Sequence, residues 1–515
     1  FSLYTQNYEG QDDFGPFKFT YRKQMQQFFK KRVRPTAGCE IVSSRHFPPE
    51  AQGNYLLNNC IGFQGVLQHT VKDAGSGFEG TEIEPILFSS DRNFRPTDLQ
   101  FGPDGALYIV DWFNPLIGHM QHNLRDPNRD HTHGRIWRVT YPGRPLLKPV
   151  QIEDRPLEEV VALLEQTEDR VRHRVRMKLR EFPRDEVTAT LDKWLAGQNQ
   201  NGEAFEHNRL EALWVKQNHN AVDRKLLEAC LKSDDFRVRA ASTRVLCYWR
   251  DYIDDHVALL RVQANDVHPR VRLEALRACT WVNTATAAEV ALEVVKRERD
   301  YYIDYALEEA IRGMEPLWKS AINSGKPFAA NNPAGVEYIL GSIPTDDLVK
   351  LPKSTPVLLA MLTRPAVKAQ SRQNALVGLA EFKKTDEMTE LLSAIDYVDK
   401  TDASGAATVI YDLVLMLTRR EPGELAESRA RFEAWTKSAK RAITRRIGYV
   451  AMIAADESVD PAWKLASGSL KSLKDFLDAI SIIPNVDRRA DLYEKVEPLL
   501  HGLPKTFQPQ AAKAK

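Results

Sequence analysis

The chain has 515 residues, too many for one hydrophobic core, which predicts two or more domains. Its 43% hydrophobic and 27% charged residues are typical of a soluble globular protein. A formal net charge of +1 argues against nucleic acid or an anionic membrane surface as the main partner. No run approaches the roughly 18 apolar residues of a transmembrane helix, so no membrane span is predicted.

The chain opens on Phe1 with neither Met nor a signal peptide, which predicts a processed or partial chain. The run FKFTYRKQMQQFFKKRVRP at residues 17–35 is basic and aromatic, as in an amphipathic surface helix. A solvated connection packed on the following strands is the favoured alternative, because the run is short and acidic residues precede it.

Short alternating runs bounded by Gly, Pro, Asn and Asp predict antiparallel β-strands up to residue 149. Two strands are predicted within residues 52–71, a polar turn at 73–80, a strand from residue 82 to 90, a hairpin at 97–112 and a strand at 134–141. This spacing is typical of a sandwich, barrel or propeller. As a propeller, residues 1–149 would supply about two blades, too few to close a ring.

The run Asn93–Tyr141 concentrates the chemistry of this β-region. Its hairpin turns on Gly-Pro-Asp-Gly at 102–105, where Pro presets the backbone and Gly permits positive φ. Arg95, Asp98 and Asp111 flank the two strands and are the candidate ligand- or cofactor-binding residues. Arg95 could hold a carboxylate through its planar guanidinium, or an Arg–Asp pair could brace the hairpin.

Four histidines follow within fifteen residues: His119, His122, His131 and His133. With Asp126 and Asp130 nearby, they are candidate ligands of a divalent metal ion. Arginines at 125, 129 and 135 alternate with them and disfavour a bound cation. The favoured alternative is a long connection held by histidine hydrogen bonds and Asp–Arg pairs.

Helical periodicity begins after Pro149, and one pattern recurs. An acidic or polar start leads into an apolar–Arg pair, a small residue and then Leu, every 30–37 residues. Each unit fits a pair of helices that buries its apolar face against its neighbours, as in a HEAT-like α-solenoid. Equivalent positions are Val171, Asn208, Val238, Val271 and Tyr302.

The predicted organisation is therefore an all-β region at 1–149, a HEAT-like solenoid at 150–325, more divergent helical repeats at 326–503 and a disordered tail at 504–515. Within the divergent part, residues 371–382 and 442–454 have the periodicity of later repeat helices.

The repeats are rich in arginine, which could line a basic groove. Acidic residues recur beside these arginines at Asp169, Asp235 and Asp266, so ion pairs that tie successive repeats together are favoured. The arginines are Arg170, Arg172, Arg174, Arg176, Arg237, Arg239, Arg270 and Arg272.

The five cysteines form no C-x-x-C, no zinc spacing and no C-x-x-C-H haem attachment site. Cys39 and Cys60 could pair, and spacing leaves that open. The three later cysteines fall on helical patterns and are predicted to be small buried side chains.

Three segments, SRHFPPEAQGNYLL, IGFQGVLQH and the run from Phe94 to Pro145, closely resemble the planctomycete-type membrane-bound dehydrogenase (haem-binding-protein) family. The resemblance is specific over about residues 28–149 and architectural beyond. It implies a protein exported to the periplasm or cell surface, in which residues 1–149 are the C-terminal blades of a partial, sugar-dehydrogenase-like β-propeller. HEAT-like repeats and a redox role are also implied. Pyrroloquinoline quinone or a c-type haem would then belong to the full-length protein, since this chain has no haem attachment site.

Two functions follow from these observations. The first is part of an exported oxidoreductase, whose propeller channel takes a sugar or alcohol substrate or a redox cofactor, with no autonomous catalysis expected of this chain. The second is a non-enzymatic scaffold whose solenoid holds a partner protein or a polysaccharide.

Overall fold

A computed structural model describes residues 28–29, 36–117, 125–324, 328–401 and 405–502. The chain divides into two compact units, residues 1–319 and 320–515. The first unit contains all the described strands followed by paired helices, and the described part of the second unit is helical. An all-β region followed by helical repeats confirms the coarse prediction. The predicted segments at 1–27, 30–35 and 503–515 lie outside the described residues.

The first sheet has four antiparallel strands in chain order: β1 (Thr36–Ile41), β2 (Tyr55–Asn59), β3 (Gly65–Ala74) and β4 (Gly77–Phe88). The β3–β4 hairpin is long and turns at Gly75–Ser76, where Gly75 has a φ of 58° that favours glycine. The two strands predicted within residues 52–71 are confirmed, and the predicted polar turn at 73–80 is mostly strand.

The second sheet has three antiparallel strands: β5 (Pro96–Phe101), β6 (Leu107–Asp111) and β7 (Arg135–Val139). The predicted Gly-Pro-Asp-Gly hairpin is confirmed. Gly105 has a φ of 79°, and the N–H of Gly102 donates to the carbonyl oxygen of Ala106 at 2.9 Å. The strand predicted at 134–141 is β7, an edge strand of this sheet.

The two sheets share one hydrophobic core, because β1 of the first sheet packs on β5 of the second. Buried side chains from both sheets form it: Val42, Phe47, Leu56, Val66, Leu99, Phe101, Leu107 and Ile109. In the described part of the chain these two small sheets do not close into a propeller. Seven short strands cannot complete the four or more four-stranded blades that a ring needs.

Paired helices fill the rest of the first unit. Several of them begin with a side-chain cap. The carboxylate of Asp223 accepts the N–H of Leu226 at the start of α5 (Arg224–Leu231), and the carboxylate of Asp235 accepts the N–H of Arg237 at the start of α6 (Phe236–Trp249). The predicted repeat positions all lie within the first four residues of the second helix of a pair. The helices are α1 (Leu157–Ala162), α2 (Asp169–Leu179), α3 (Arg184–Ala196), α4 (Phe205–Asn218), α5 (Arg224–Leu231), α6 (Phe236–Trp249), α7 (His256–Ala264), α8 (Pro269–Cys279), α9 (Ala285–Ala291) and α10 (Tyr301–Gly313).

Helix α11 (Glu315–Asn323) contains the division between the units, and further helices make up the second unit. The helices predicted within 371–382 and 442–454 are confirmed, because they lie in α15 (Ala369–Lys383) and α20 (Ala442–Asp456). The helices are α12 (Pro333–Ser342), α13 (Thr345–Leu348), α14 (Thr355–Thr363), α15 (Ala369–Lys383), α16 (Glu387–Lys400), α17 (Ala406–Leu417), α18 (Pro422–Glu427), α19 (Arg429–Ser438), α20 (Ala442–Asp456), α21 (Asp460–Ala466), α22 (Leu470–Ala479), α23 (Val486–Ala490) and α24 (Tyr493–Leu500).

Among the described residues, no helix combines the length and the apolar character that a membrane span requires.

Candidate functional site

Arg95, the predicted ligand clamp, is buried at the start of the β5–β6 hairpin. All three nitrogens of its guanidinium donate to main-chain carbonyl oxygens: Nη1 to Cys60, Nε to Asn114 at 2.9 Å and Nη2 to Pro115 at 3.0 Å. Burial lowers the pKa of Arg95. These contacts tie the end of β2 to the loop after β6, which favours the bracing role over carboxylate binding.

Asp111 is the centre of a buried hydrogen-bond network at the end of β6. One carboxylate oxygen accepts the N–H groups of Arg95 at 2.7 Å and Phe113 at 2.9 Å. The other accepts Nε of Arg135 at 2.7 Å and Nε1 of Trp137 at 3.0 Å. The Arg135 guanidinium also lies 4.1 Å from the centroid of the Phe113 ring. Four donors saturate the carboxylate, so Asp111 fixes β7 against β6.

Asp98, the third predicted residue, lies outside this network and is exposed on β5. Its carboxylate accepts the N–H of Leu99 at 2.9 Å. A Cβ atom at Gly38 would collide with Asp98, so a glycine is needed where β1 crosses β5. The structure therefore brings Arg95 and Asp111 together and leaves Asp98 apart from them.

The two described histidines of the predicted metal site are exposed in the loop before β7. Nδ1 of His133 lies 2.8 Å from the Asp130 carboxylate. The N–H of Thr132, the N–H of His133 and its ring lower the pKa of Asp130. No group of three His, Cys, Asp or Glu side chains arranged for a metal occurs among the described residues. The other two predicted ligands lie outside those residues: His119 and His122. The four-histidine site stays a prediction.

The described cysteines are free thiols, and Cys39 and Cys60 are not bonded to each other. Burial raises the pKa of Cys230 to about 11 and that of Cys279 to about 12. Since the thiolate is the reactive form, these helix cysteines are packing residues, as predicted.

Most of the described repeat arginines are paired within the chain. Arg239 makes two hydrogen bonds to Asp266, at 2.7 and 2.9 Å, which join α6 to the start of the next repeat. Arg172 pairs with Asp169, as predicted, and it also shares Glu211 with Arg176. Glu211 is a fully buried carboxylate of α4 that the sequence analysis did not single out. The ion-pair interpretation therefore accounts for these arginines better than a basic groove.

Other repeat arginines hold the β-region on the helices. Arg270 of α8 pairs with Asp73 at 2.8 Å and donates to the carbonyl oxygen of Gly77 at 2.6 Å. Its guanidinium lies 3.9 Å from the centroid of the Phe78 ring. Asp300, the N-cap of α10, accepts the N–H of Ser76 at 2.5 Å and its hydroxyl at 2.8 Å. The tip of the β3–β4 hairpin is thus fixed on α8 and α10; we call this contact the hairpin clasp.

A second attachment lies at α2. Arg45 donates to Glu168 from two nitrogens, at 2.7 and 2.8 Å, and Arg170 donates to Glu40 at 2.8 Å. The β-region is therefore fixed at both α2 and α8–α10. The sequence pattern did not point to these particular partners, because they are about 120 to 220 residues apart in the chain.

Large aromatic side chains are exposed at the C-terminal ends of α6 and α8, whereas the hairpin clasp contacts the N-terminal ends of α8 and α10. Tyr248 is 57%, Tyr252 72% and Trp281 59% exposed, and we call these three the aromatic edge. The Arg250 guanidinium lies 5.9 Å from the Trp281 ring and connects the two helix ends. Beside the tyrosines is a depression of about 500 Å³ that is also lined by the side chains of Gln217, Asn218 and Asn220.

Sequence reasoning missed the aromatic edge. A usable signal was there: these aromatics fall outside the apolar repeat positions, near and beyond the ends of their helices. Exposed aromatic residues that the core does not need are the usual anchors of a binding surface.

Comparison with known families gives two matches. Residues 5–143 match the model of a domain of unknown function, DUF7133, and residues 224–312 match HEAT repeats. No curated protein matches the chain. The HEAT match runs from α5 to α10 and includes the whole aromatic edge. Neither description names a dehydrogenase or a haem-binding family. The chain thus contains HEAT repeats that follow, in sequence, a region similar to DUF7133.

Proposed function

We propose that this chain is a helical-repeat scaffold that binds a partner protein at the aromatic edge. The observation that carries the proposal is the exposure of Tyr248, Tyr252 and Trp281 on one edge of the HEAT repeats. HEAT-like repeats form extended surfaces suited to binding other proteins, and each aromatic side chain offers roughly 150–250 Å² for burial.

The chemistry of the edge favours a protein as the partner. Tyrosine, tryptophan and arginine are the residues most enriched at the energetic centres of protein interfaces, and Arg250 lies beside Trp281 here. The hairpin clasp occupies the beginnings of α8 and α10, which leaves the ends of α6 and α8 as the accessible edge. A polysaccharide, the other partner class predicted, would use the same aromatic rings together with the amide residues beside the tyrosines.

The oxidoreductase hypothesis has less support from the described residues. Arg95 and Asp111 use their hydrogen-bonding groups within the chain, and Asp98 lies apart from them. Four features of this hypothesis rest on the family resemblance: the partial propeller, its channel for a sugar or alcohol, a quinone or haem cofactor, and export from the cell. They stay predictions for the full-length protein.

The proposal is tested by quantitative affinity capture from extracts of the native organism with the whole chain as bait. The double variant Tyr252→Ala/Trp281→Ala should lose the specifically captured protein by about tenfold or more, because two anchors are removed. Tyr493→Ala is the matched control, since Tyr493 is 65% exposed on α24 of the second unit. Equal capture by the double variant and the wild type would contradict the proposal.

A further inference from the structure

The second unit contains a large cleft whose described walls come from α12, α14, α16 and α17, with Phe382 of α15 at its side. Its volume is about 1190 Å³, and apolar side chains dominate its lining. Phe382 is 55% exposed there, although a phenylalanine at the end of a helix is normally covered. All the lining residues belong to the second unit, so the inference is independent of the aromatic edge.

The size of the cleft matches a helix. An α-helix with its side chains is about 10 Å across and rises 1.5 Å per residue, so ten residues fill roughly 1,200 Å³. Pockets for drug-sized ligands span roughly 300–1,000 Å³, which is smaller than this cleft. Walls built from helices also offer the apolar ridges and grooves against which another helix packs.

The charges of the cleft favour an acidic occupant. Lys353 and Arg364 both line it, and neither forms an ion pair with a carboxylate among the described residues. Arg364 donates to the carbonyl oxygens of Leu340 and Ile343, and burial lowers its pKa. The acidic side chain in the lining, Glu337, already accepts the hydroxyl of Tyr397. Arg364 is thus engaged within the chain, as Arg95 is, and Lys353 remains for a partner to neutralise.

We propose that this cleft receives one amphipathic helix of a partner protein. The apolar face of the helix packs on α12 and α14, and its acidic side chains approach Lys353. This is the helix-in-groove mode of recognition, in which residues spaced i, i+3, i+4 and i+7 are the anchors.

The test uses the whole chain and two fluorescein-labelled synthetic peptides with the same leucine stripe, one flanked by glutamate and the other by lysine. Fluorescence anisotropy should show the glutamate peptide binding at least about tenfold more tightly than the lysine peptide. Lys353→Glu should abolish that preference. Lys350→Glu is the matched control, because Lys350 is 72% exposed, pairs with Asp347 and does not line the cleft.

Hydrogen exchange locates the bound peptide. We expect the glutamate peptide to protect the amides of α12 and α14 from exchange. The Leu359→Asp variant places a charge on the cleft wall and should lose that protection. The proposal is overturned if neither peptide binds, if the Lys353 and Lys350 variants behave alike, or if protection falls outside these helices. Protection by oleate but not by the peptides would also overturn it.

Discussion

Asp111 and Asp98 lie on the same β-hairpin and differ in what surrounds their carboxylates. Asp111 is fully buried with four donors, whereas Asp98 is exposed and accepts one backbone N–H. Asp111→Ala should therefore cost about 3 kcal/mol, because it leaves the N–H of Arg95 and the Trp137 indole without an acceptor and leaves Arg135 paired with Asp91 alone. Amides of β5–β7 should then exchange with solvent about a hundredfold faster, as measured by mass spectrometry.

Asp98→Ala is the control for that experiment, with an expected change within about 0.5 kcal/mol. Equal effects of the two substitutions would show that the Asp111 network does not stabilise the hairpin. Unchanged amide exchange of β5–β7 in Asp111→Ala would instead favour the ligand-binding role first predicted for this residue.

Glu211 makes a pH-dependent contribution to the repeats. Burial by itself would raise the pKa of its carboxyl, but the hydrogen bond from His207 and the charge of Arg176 lower it overall. A carboxyl with a lowered pKa stabilises the fold above its unfolded value of about 4.3, and that contribution is lost as the pH falls through the folded value.

Thermal unfolding followed by circular dichroism checks this assignment. Wild type should be more stable than Glu211→Gln at about pH 7, and the difference should shrink as the pH falls through the lowered pKa of Glu211 and its carboxyl becomes neutral. Glu181→Gln is the control, because Glu181 is 65% exposed and should give no difference across this pH range. A constant gap between wild type and Glu211→Gln would contradict the ion-pair account.

At the scale of elements, the hairpin clasp joins the β-region to the helices. Its turn needs Gly75 and Gly77, because a Cβ at either would collide with Asp300 or Tyr302. Arg270→Ala removes an ion pair, a hydrogen bond and a cation–π contact at once. We expect exchange of the amides at 72–80 to rise at least about tenfold, while β1 and β2 are unaffected.

Arg237→Ala is the matched control for the clasp, because Arg237 is 69% exposed and pairs only locally with Asp235. If both variants leave the hairpin equally protected, the contacts of Arg270 do not hold it, and the bonds between Ser76 and Asp300 would hold the clasp alone.

Elements with strong local signals were predictable from the sequence. The Gly-Pro-Asp-Gly turn between alternating strands predicted β5 and β6, and the recurring polar start followed by Val-Arg predicted α6 and α8. The clasp was not predictable, because it depends on pairs such as Ser76 and Asp300 that only the tertiary fold brings together. The same holds for Arg95, whose partners are backbone carbonyls that carry no sequence signal.

At the scale of the whole molecule, sequence reasoning placed the chemistry in the run Asn93–Tyr141. The structure shows Arg95 and Asp111 there engaged in internal hydrogen bonds, while large aromatic side chains are exposed on the HEAT repeats. This contrast separates the two functions: a scaffold would contact its partner through the repeats, and an oxidoreductase would contact its substrate through the β-region.

Site-specific photo-crosslinking in the native organism distinguishes them most directly. A benzophenone amino acid is placed at Tyr252 in one variant and at His131 in another, since both positions are exposed. The scaffold account predicts a discrete protein adduct from position 252 and none from position 131. A protein adduct from position 131 with none from position 252 would contradict it.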